Sequence, residues 1–232
     1  MATTLKILLI LTSQATMGAN PRPTGVWFEE LSTPYYAFVD AGAQVDIASV
    51  QGGAVPVDPH SLNEGGANPP SVQRFIQDKA AMQQLQHSLS IQGLKTEGYA
   101  AIFLPGGHGT MWDLPQSPAL AQLLSQAWGQ GKVLAAVCHG PAGLVNVRDA
   151  QGRPIVAGRR VAGFSNTEED AAGLSQVVPF LLETRLRELG ARYEKGPDFA
   201  PFAVRDGQLV TGQNPASSEE AARLTLQAAR GQ

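Results

Sequence analysis

The run Lys132–Val145, KVLAAVCHGPAGLV, decides how this chain is read. Lys132 to Val137 is a short stretch of apolar residues with the character of a strand buried on both faces. Cys138 follows at once, and His139-Gly140-Pro141 then opens a helix. Around the cysteine the pattern is small-x-nucleophile-x-small: Ala136, Val137, Cys138, His139, Gly140. Small residues two positions either side let the backbone double back sharply and project the central side chain outward, the nucleophile-elbow geometry with Cys in place of Ser. At a helix N-terminus, unpaired N–H groups and the positive end of the dipole favour thiolate, so Cys138 is expected to be reactive at neutral pH. The competing reading is a buried cysteine serving as a small core hydrophobe.

Outward from the elbow the same alternation repeats. Leu5 to Leu11, Val45 to Val50 and Ala100 to Leu104 are further buried-strand candidates. Val26 to Asp40, Ser71 to His87 and Ser117 to Gln130 are expected as crossover helices, the first and last stopping at glycine-containing ends. Repeated strand, helix, strand order predicts an α/β domain with a doubly wound, mostly parallel sheet sandwiched by helices. Later come a strand at Arg160 to Phe164, a helix at Val177 to Gly190 and a short strand at Ala191 to Glu194. Phe202 to Arg205 and Gln208 to Thr211 flank Asp206-Gly207, a strong β-hairpin signal near the C-terminus. Pro215 to Arg230 closes the chain as a helix. Val50 to Pro70, rich in Gly, Pro and Asn, is too long for an ordinary connection and is expected to form a lid or a site wall. Nothing splits residues 1–232, so one domain is expected.

Composition narrows the function. The chain has 232 residues, 43% of them hydrophobic, and a formal charge of −3. That is long enough to bury roughly 70–75% of its unfolded surface without cross-links, and too apolar for disorder. A pI near 5.8 with no Lys/Arg cluster argues against nucleic acid. The N-terminal apolar run is shorter than the roughly 20 residues of a membrane span and is not framed as a signal peptide. A cytoplasmic protein without membrane attachment is therefore expected, its single cysteine kept reduced. Neither H-E-x-x-H nor Cys-rich spacing is present around His60 or His87, so no metal is expected.

Five segments together resemble the ThiJ/PfpI superfamily. They are AVCHGPAGL at the elbow, PGGHGTMWDLP (Pro105 to Pro115), TGVWFEELSTPYY (Thr24 to Tyr36), GFSNTEE (Gly163 to Glu169) and LVTGQNPASS (Leu209 to Ser218). Within it the chain is most similar to the branch of glutathione-independent glyoxalases and stress chaperones. The resemblance runs in order over nearly the whole chain and implies a flavodoxin-like fold shared with class-I glutamine amidotransferases. It makes Cys138 the nucleophile and His139 its acid/base partner. Glu30 becomes the carboxyl beside the thiol, with Glu29 as the register alternative. Glu169 becomes the acid of a triad, with Glu168 second, and the backbone N–H groups of Gly107 and His108 face the elbow as an oxyanion hole. Trp112 and Asp113 could wall the pocket or belong to the core; Tyr35 and Tyr36 read as core and pocket lining.

Physical chemistry gives each assignment a case of its own. An imidazole shuttles protons near neutral pH, and a carboxylate on its far nitrogen fixes its tautomer. A glutamic acid buried beside a thiolate has its pKa raised and can donate a hydrogen bond to sulfur. The resemblance implies a small reactive carbonyl substrate such as methylglyoxal, no cofactor, and a homodimer. It leaves open a chaperone for unfolded client proteins, or a redox sensor built on an oxidisable thiol. A Cys138–His139–Glu169 peptidase or amidase is a further alternative.

Overall fold

The computed structural model describes residues 4–63 and 65–231. In chain order its strands and α-helices are β1 (Lys6–Leu11), β2 (Thr16–Met17), β3 (Asn20–Pro23), α1 (Phe28–Asp40), β4 (Gln44–Ser49), α2 (Pro70–Gln77), α3 (Lys79–Gln86), β5 (Leu89–Ser90) and β6 (Ala101–Leu104). There follow α4 (Thr110–Asp113), α5 (Pro118–Gly129), β7 (Val133–Val137), β8 (Arg160–Val161), α6 (Asn166–Ala171), α7 (Leu182–Glu188), β9 (Arg192–Tyr193), β10 (Ala203–Asp206), β11 (Leu209–Gly212) and α8 (Ser218–Ala229). A seven-stranded sheet runs β10-β11-β7-β6-β1-β4-β5, parallel throughout except for the antiparallel edge strand β10. Without its two edge strands the order is 2-1-3-4-5, that of a flavodoxin-like doubly wound sheet flanked by helices.

The apolar runs became central strands because both their faces are covered. Ile7 to Leu11 and Ala101 to Leu104 are at most 1% exposed. Such strands lose no polar contact by burial, since their backbone groups pair along the parallel ladder. Helix α1 turns Phe28, Leu31, Tyr35 and Phe38 toward the core at helical spacing. Phe28 meets Phe75 of α2 edge-on with ring centroids 5.4 Å apart, and Phe38 meets Phe103 of β6 at 5.7 Å.

Several expectations change in detail. The single helix at Ser71 to His87 is two, broken at Asp78, whose carboxylate accepts hydrogen bonds from the Ala80 and Ala81 N–H groups and so caps α3. The helix expected at Val177 to Gly190 begins only at Leu182, because Pro179 disfavours helical backbone in the residue before it. The strands at Arg160 and Ala191 shrink to two residues each and pair with one another, outside the main sheet. The hairpin forms as expected, with Gly207 at φ +64°, and its strand β11 docks on β7. After the elbow comes a five-residue 3-10 segment, Gly140–Leu144, rather than an α-helix.

Within the Val50 to Pro70 segment, Pro56 to Asp58 pack against Thr24 to Val26. Val57 bridges Val26, and Asp58, nearly fully buried, accepts from the Thr24 hydroxyl at 3.0 Å. A Cβ on Gly25 would stand 2.2 Å from the Pro56 carbonyl oxygen, so that close approach requires glycine. No helix among the described residues is long and apolar enough to cross a membrane.

Candidate active site

The order in which strands are added to the sheet reverses between β1 and β6, the place where open α/β sheets bind ligands beyond their carboxyl ends. Strand β6 delivers the loop Pro105 to His108 there, and its neighbour β7 delivers Cys138. Cys138 sits at φ +60°, a left-handed conformation costing about 1 kcal/mol or more for a residue with a Cβ. Its N–H donates to the Gly212 carbonyl at 3.0 Å and its C=O accepts from the Phe164 N–H at 2.8 Å, so the strained turn is clamped from both sides. The small residue two positions on has a specific cause, since a Cβ on Gly140 would lie 2.1 Å from the Leu104 carbonyl oxygen.

Around the sulfur the structure gathers Glu30, His139, Glu169 and the Gly107 loop. His139 Nδ1 lies 3.3 Å from Sγ, and its Nε2 lies 2.7 Å from Glu169 Oε2. With Nε2–H donating to that carboxylate, Nδ1 presents its lone pair to the thiol. Burial lowers the His139 pKa, as does the neighbouring His108 charge, so the ring rests neutral and able to accept a proton. Burial opposes ionisation of Glu169, but His139 and His108 outweigh it and hold the carboxyl well below the usual carboxylate range.

Glu30 is the opposite case. It is fully buried in the first turn of α1, with no cation against it. Its Oε2 accepts the Gly106 N–H at 2.7 Å, Oε1 is buried without a hydrogen-bond partner, and the carboxyl lies against the Cys138 thiol. Desolvation pushes its pKa up to about 8, against the lowering effect of the hydrogen bonds with Cys138 and Gly106. Glu30 therefore carries its proton at neutral pH.

The expectation that a helix N-terminus makes Cys138 a thiolate needs correction. Only the 3-10 segment follows, and burial pushes the thiol up, as a charged Glu30 does also. The opposing groups are the Gly107 and His139 N–H donors. With Glu30 protonated, its repulsion disappears and its O–H can donate to sulfur, so the two acids behave as a proton-sharing pair. Ionisation of the thiol rests on that pair and on His139.

The amides facing Sγ are thus those of Gly107 and His139. Gly107 stands at φ +98°, where a Cβ would meet the Gly25 carbonyl oxygen at 2.2 Å. From His108 it is the ring that reaches the site: its Nε2 lies 2.8 Å from Glu169 Oε1, and it stacks on His139 with centroids 4.1 Å apart. Sequence reasoning considered only its backbone. Glu168 faces away from the histidines. It closes a capping box with Ser165 at the start of α6 and accepts from the Phe199 N–H and the Asn214 side chain. Glu29 is half-buried and takes no part at the sulfur. Asp113 holds Thr12 and the Ser13 N–H instead of lining the pocket, and Tyr35 and Tyr36 pack on Phe75.

Cys138, Gly107, His108 and His139 line a cavity of about 220 Å³ together with the apolar Trp27, Phe164, Ala172, Phe199 and Pro215. The role of those apolar residues as pocket lining carries no sequence signal, although Trp27, Phe164 and Pro215 lie inside the segments TGVWFEELSTPYY, GFSNTEE and LVTGQNPASS. His108, His139 and Glu169 also place two imidazole nitrogens and a carboxylate oxygen within 4.8 Å of one another, a donor set suited to a divalent cation such as zinc.

Fold and site define an α/β protein with a cysteine elbow at the carboxyl end of a parallel sheet, flanked by an imidazole and two buried carboxyl groups. The chain belongs to the DJ-1/PfpI family, whose model matches residues 24–228. It is 32% identical to a glutathione-independent glyoxalase of Schizosaccharomyces pombe over 97% of this chain and 96% of that protein. The Rapid Encystment Protein of Francisella tularensis superposes with a TM-score of 0.92 at 35% identity, covering 97% of this chain and 99% of that one. Glyoxalase III of Candida albicans superposes with a TM-score of 0.87 at 28% identity, over 97% and 98% of the two chains.

Proposed function

We propose that the protein is a glutathione-independent glyoxalase that converts small 2-oxoaldehydes such as methylglyoxal to 2-hydroxy acids. The observation that carries this reading is the pairing of Cys138 with a protonated buried carboxyl, Glu30, and a neutral imidazole, His139. The thiol adds to the aldehyde carbon, His139 Nδ1 taking its proton and passing it to the former aldehyde oxygen, to give a hemithioacetal. Neutral His139 then removes the C1 proton as the Glu30 O–H protonates the C2 carbonyl oxygen, giving an enediol; the imidazolium delivers a proton to C2 while the ionised Glu30 takes back the C1 hydroxyl proton. The product of that transfer is a 2-hydroxy thioester, which water cleaves to the hydroxy acid and free Cys138. The N–H groups of Gly107 and His139 stabilise the developing oxyanion. No electrons leave the substrate, so the sequence requires neither redox cofactor nor glutathione.

Methylglyoxal loss followed colorimetrically, with chiral analysis of the lactate formed, tests the proposal. Cys138→Ala should abolish turnover; full activity in that variant refutes it. The hydrogen-bonded chain from Sγ through His139 to Glu169 also favours a cysteine hydrolase as a second reading. Release of amine from amide substrates by the wild type, lost in Cys138→Ala, would select that reading.

A further inference from the structure

Phe199 is costly to the fold twice over. Its backbone lies at φ +59°, one of two non-glycine residues with positive φ among those described, the other being Cys138. Its ring is 53% exposed, more than any other large apolar side chain described. Glycine would remove the first cost and a polar residue the second. Neither is offset by deep packing, since the side chain is half exposed and meets the Phe164 ring only edge-on, at a centroid distance of 6.2 Å.

The conformation is nevertheless held firmly. Phe199 N–H donates to Glu168 Oε1 at 2.8 Å, and the Asn214 amide donates to that same oxygen at 2.9 Å and to the Ala200 carbonyl at 2.8 Å. Thr167 binds Asp198 at 2.7 Å. Both flanks of Phe199 are thereby tied to α6, the helix that carries Glu169, and a fully buried carboxylate is committed to the task. A fixed, exposed, strained aromatic beside the reactive thiol belongs to the site rather than to the core.

We infer that Phe199 is a specificity-determining wall of the thiol pocket and selects 2-oxoaldehydes bearing an apolar aryl or branched alkyl substituent over methylglyoxal. The inference rests on the glyoxalase reading for the dicarbonyl end of the substrate. The polar groups cluster at the sulfur, while the rest of the 220 Å³ cavity is walled by Trp27, Phe164, Ala172, Phe199 and Pro215. A dicarbonyl with only a methyl group beyond its ketone leaves that end to water, which finds few hydrogen-bond partners there. An aryl group fills it and meets Phe199 and Phe164.

The test compares wild type with Phe199→Gly and Phe199→Leu in two assays. The first is kcat/KM for phenylglyoxal against methylglyoxal. The second is the rate of Cys138 alkylation by N-benzyliodoacetamide against iodoacetamide, which needs no turnover. Phe199→Gly should lower both ratios about five- to tenfold, leave the iodoacetamide rate within about twofold, and keep or raise Tm because glycine suits this backbone. Phe199→Leu should fall between. Unchanged ratios overturn the inference. So does a lower Tm with both reagents reacting faster, which would make Phe199 structural, and so does a loss of dimer mass on substitution, which would make the ring a subunit contact. If neither aldehyde is consumed by the wild type but the alkylation ratio falls in Phe199→Gly, the glyoxalase reading fails while the wall stands.

Discussion

Glu30→Gln isolates the energetics of the buried carboxyl. Gln keeps the size of Glu and can still accept the Gly106 N–H, but it cannot ionise. Burial raises the Glu30 pKa from 4.5 to about 8. Below pH 4.5 folded and unfolded chains both hold this proton and the group contributes nothing. As pH rises from 4.5 to about 8 the unfolded chain is ionised while the folded chain still holds the proton, so the folded state loses relative stability across that window and the loss levels off above it. Linkage over that interval gives on the order of 4 kcal/mol between pH 5 and pH 9. For a chain of this size each kcal/mol moves Tm by roughly 2–4 °C, so this group alone lowers Tm by roughly 10 °C across that range. The measurement is thermal unfolding by circular dichroism from pH 5 to pH 9. A Cys138→Ala background keeps thiol ionisation out of the difference and leaves burial, the largest cause of the shift, in place. Glu30→Gln should match its parent near pH 5 and exceed its Tm by roughly 10 °C near pH 9. Parallel Tm profiles would mean that Glu30 ionises normally, and the proton-sharing account of the thiol would fall with it.

Glu169→Gln should lower kcat of methylglyoxal turnover by roughly 10³–10⁴-fold, because the amide cannot stabilise the imidazolium that forms on His139; a loss under tenfold would remove Glu169 from the reaction. His108→Leu should cost roughly tenfold in kcat by removing one of two donors on that carboxylate, and unchanged kinetics would make His108 a bystander. Gly140→Ala should lower stability by about 3 kcal/mol, read as a Tm drop of roughly 6–12 °C, since the new methyl collides with the Leu104 carbonyl 2.1 Å away; an unchanged Tm would show that the turn can open. Micromolar zinc should inhibit reversibly by engaging His108, His139 and Glu169, while EDTA alone leaves activity unchanged; indifference to zinc would show that the hydrogen bonds hold the three groups closed.

The central sheet was legible because β6 and β7 are apolar at every position and β1 is from Ile7 onward, a pattern suited to strands covered on both faces. The elbow was legible because its signature is local, with Cys138 turning left-handed between the small residues Ala136 and Gly140, although the Leu104 carbonyl that Gly140 must clear lies on the neighbouring strand. The helix expected after it was not, because Gly140 and Gly143 weaken any α-helix there. Asp78 carried a capping signal that a continuous apolar periodicity concealed. Strands β2, β3 and β5 are too short and too exposed to leave a pattern. The His108 ring and Phe199 were invisible for a different reason. Their directions are set by partners 61 and 31 residues away, Glu169 and Glu168, and no local spacing encodes such a meeting.

Two glutamates within one site differ in protonation because they differ in company. Glu169 meets two imidazole donors and stays ionised; Glu30 meets one backbone amide, a thiol and no cation, and keeps its proton. When environments push two carboxyl groups apart in this way, their chemical roles separate. Glu169 has no proton to give at neutral pH, so in the proposed reaction it can only orient and stabilise His139. Glu30 can give its proton and, once the thiol is consumed in the hemithioacetal, take one back without a charged sulfur opposing it. The carboxyl that faces the resting thiol with its proton in place is therefore also the one equipped to give and take back a proton as the enediol forms and collapses, a role that the ionised Glu169 cannot share.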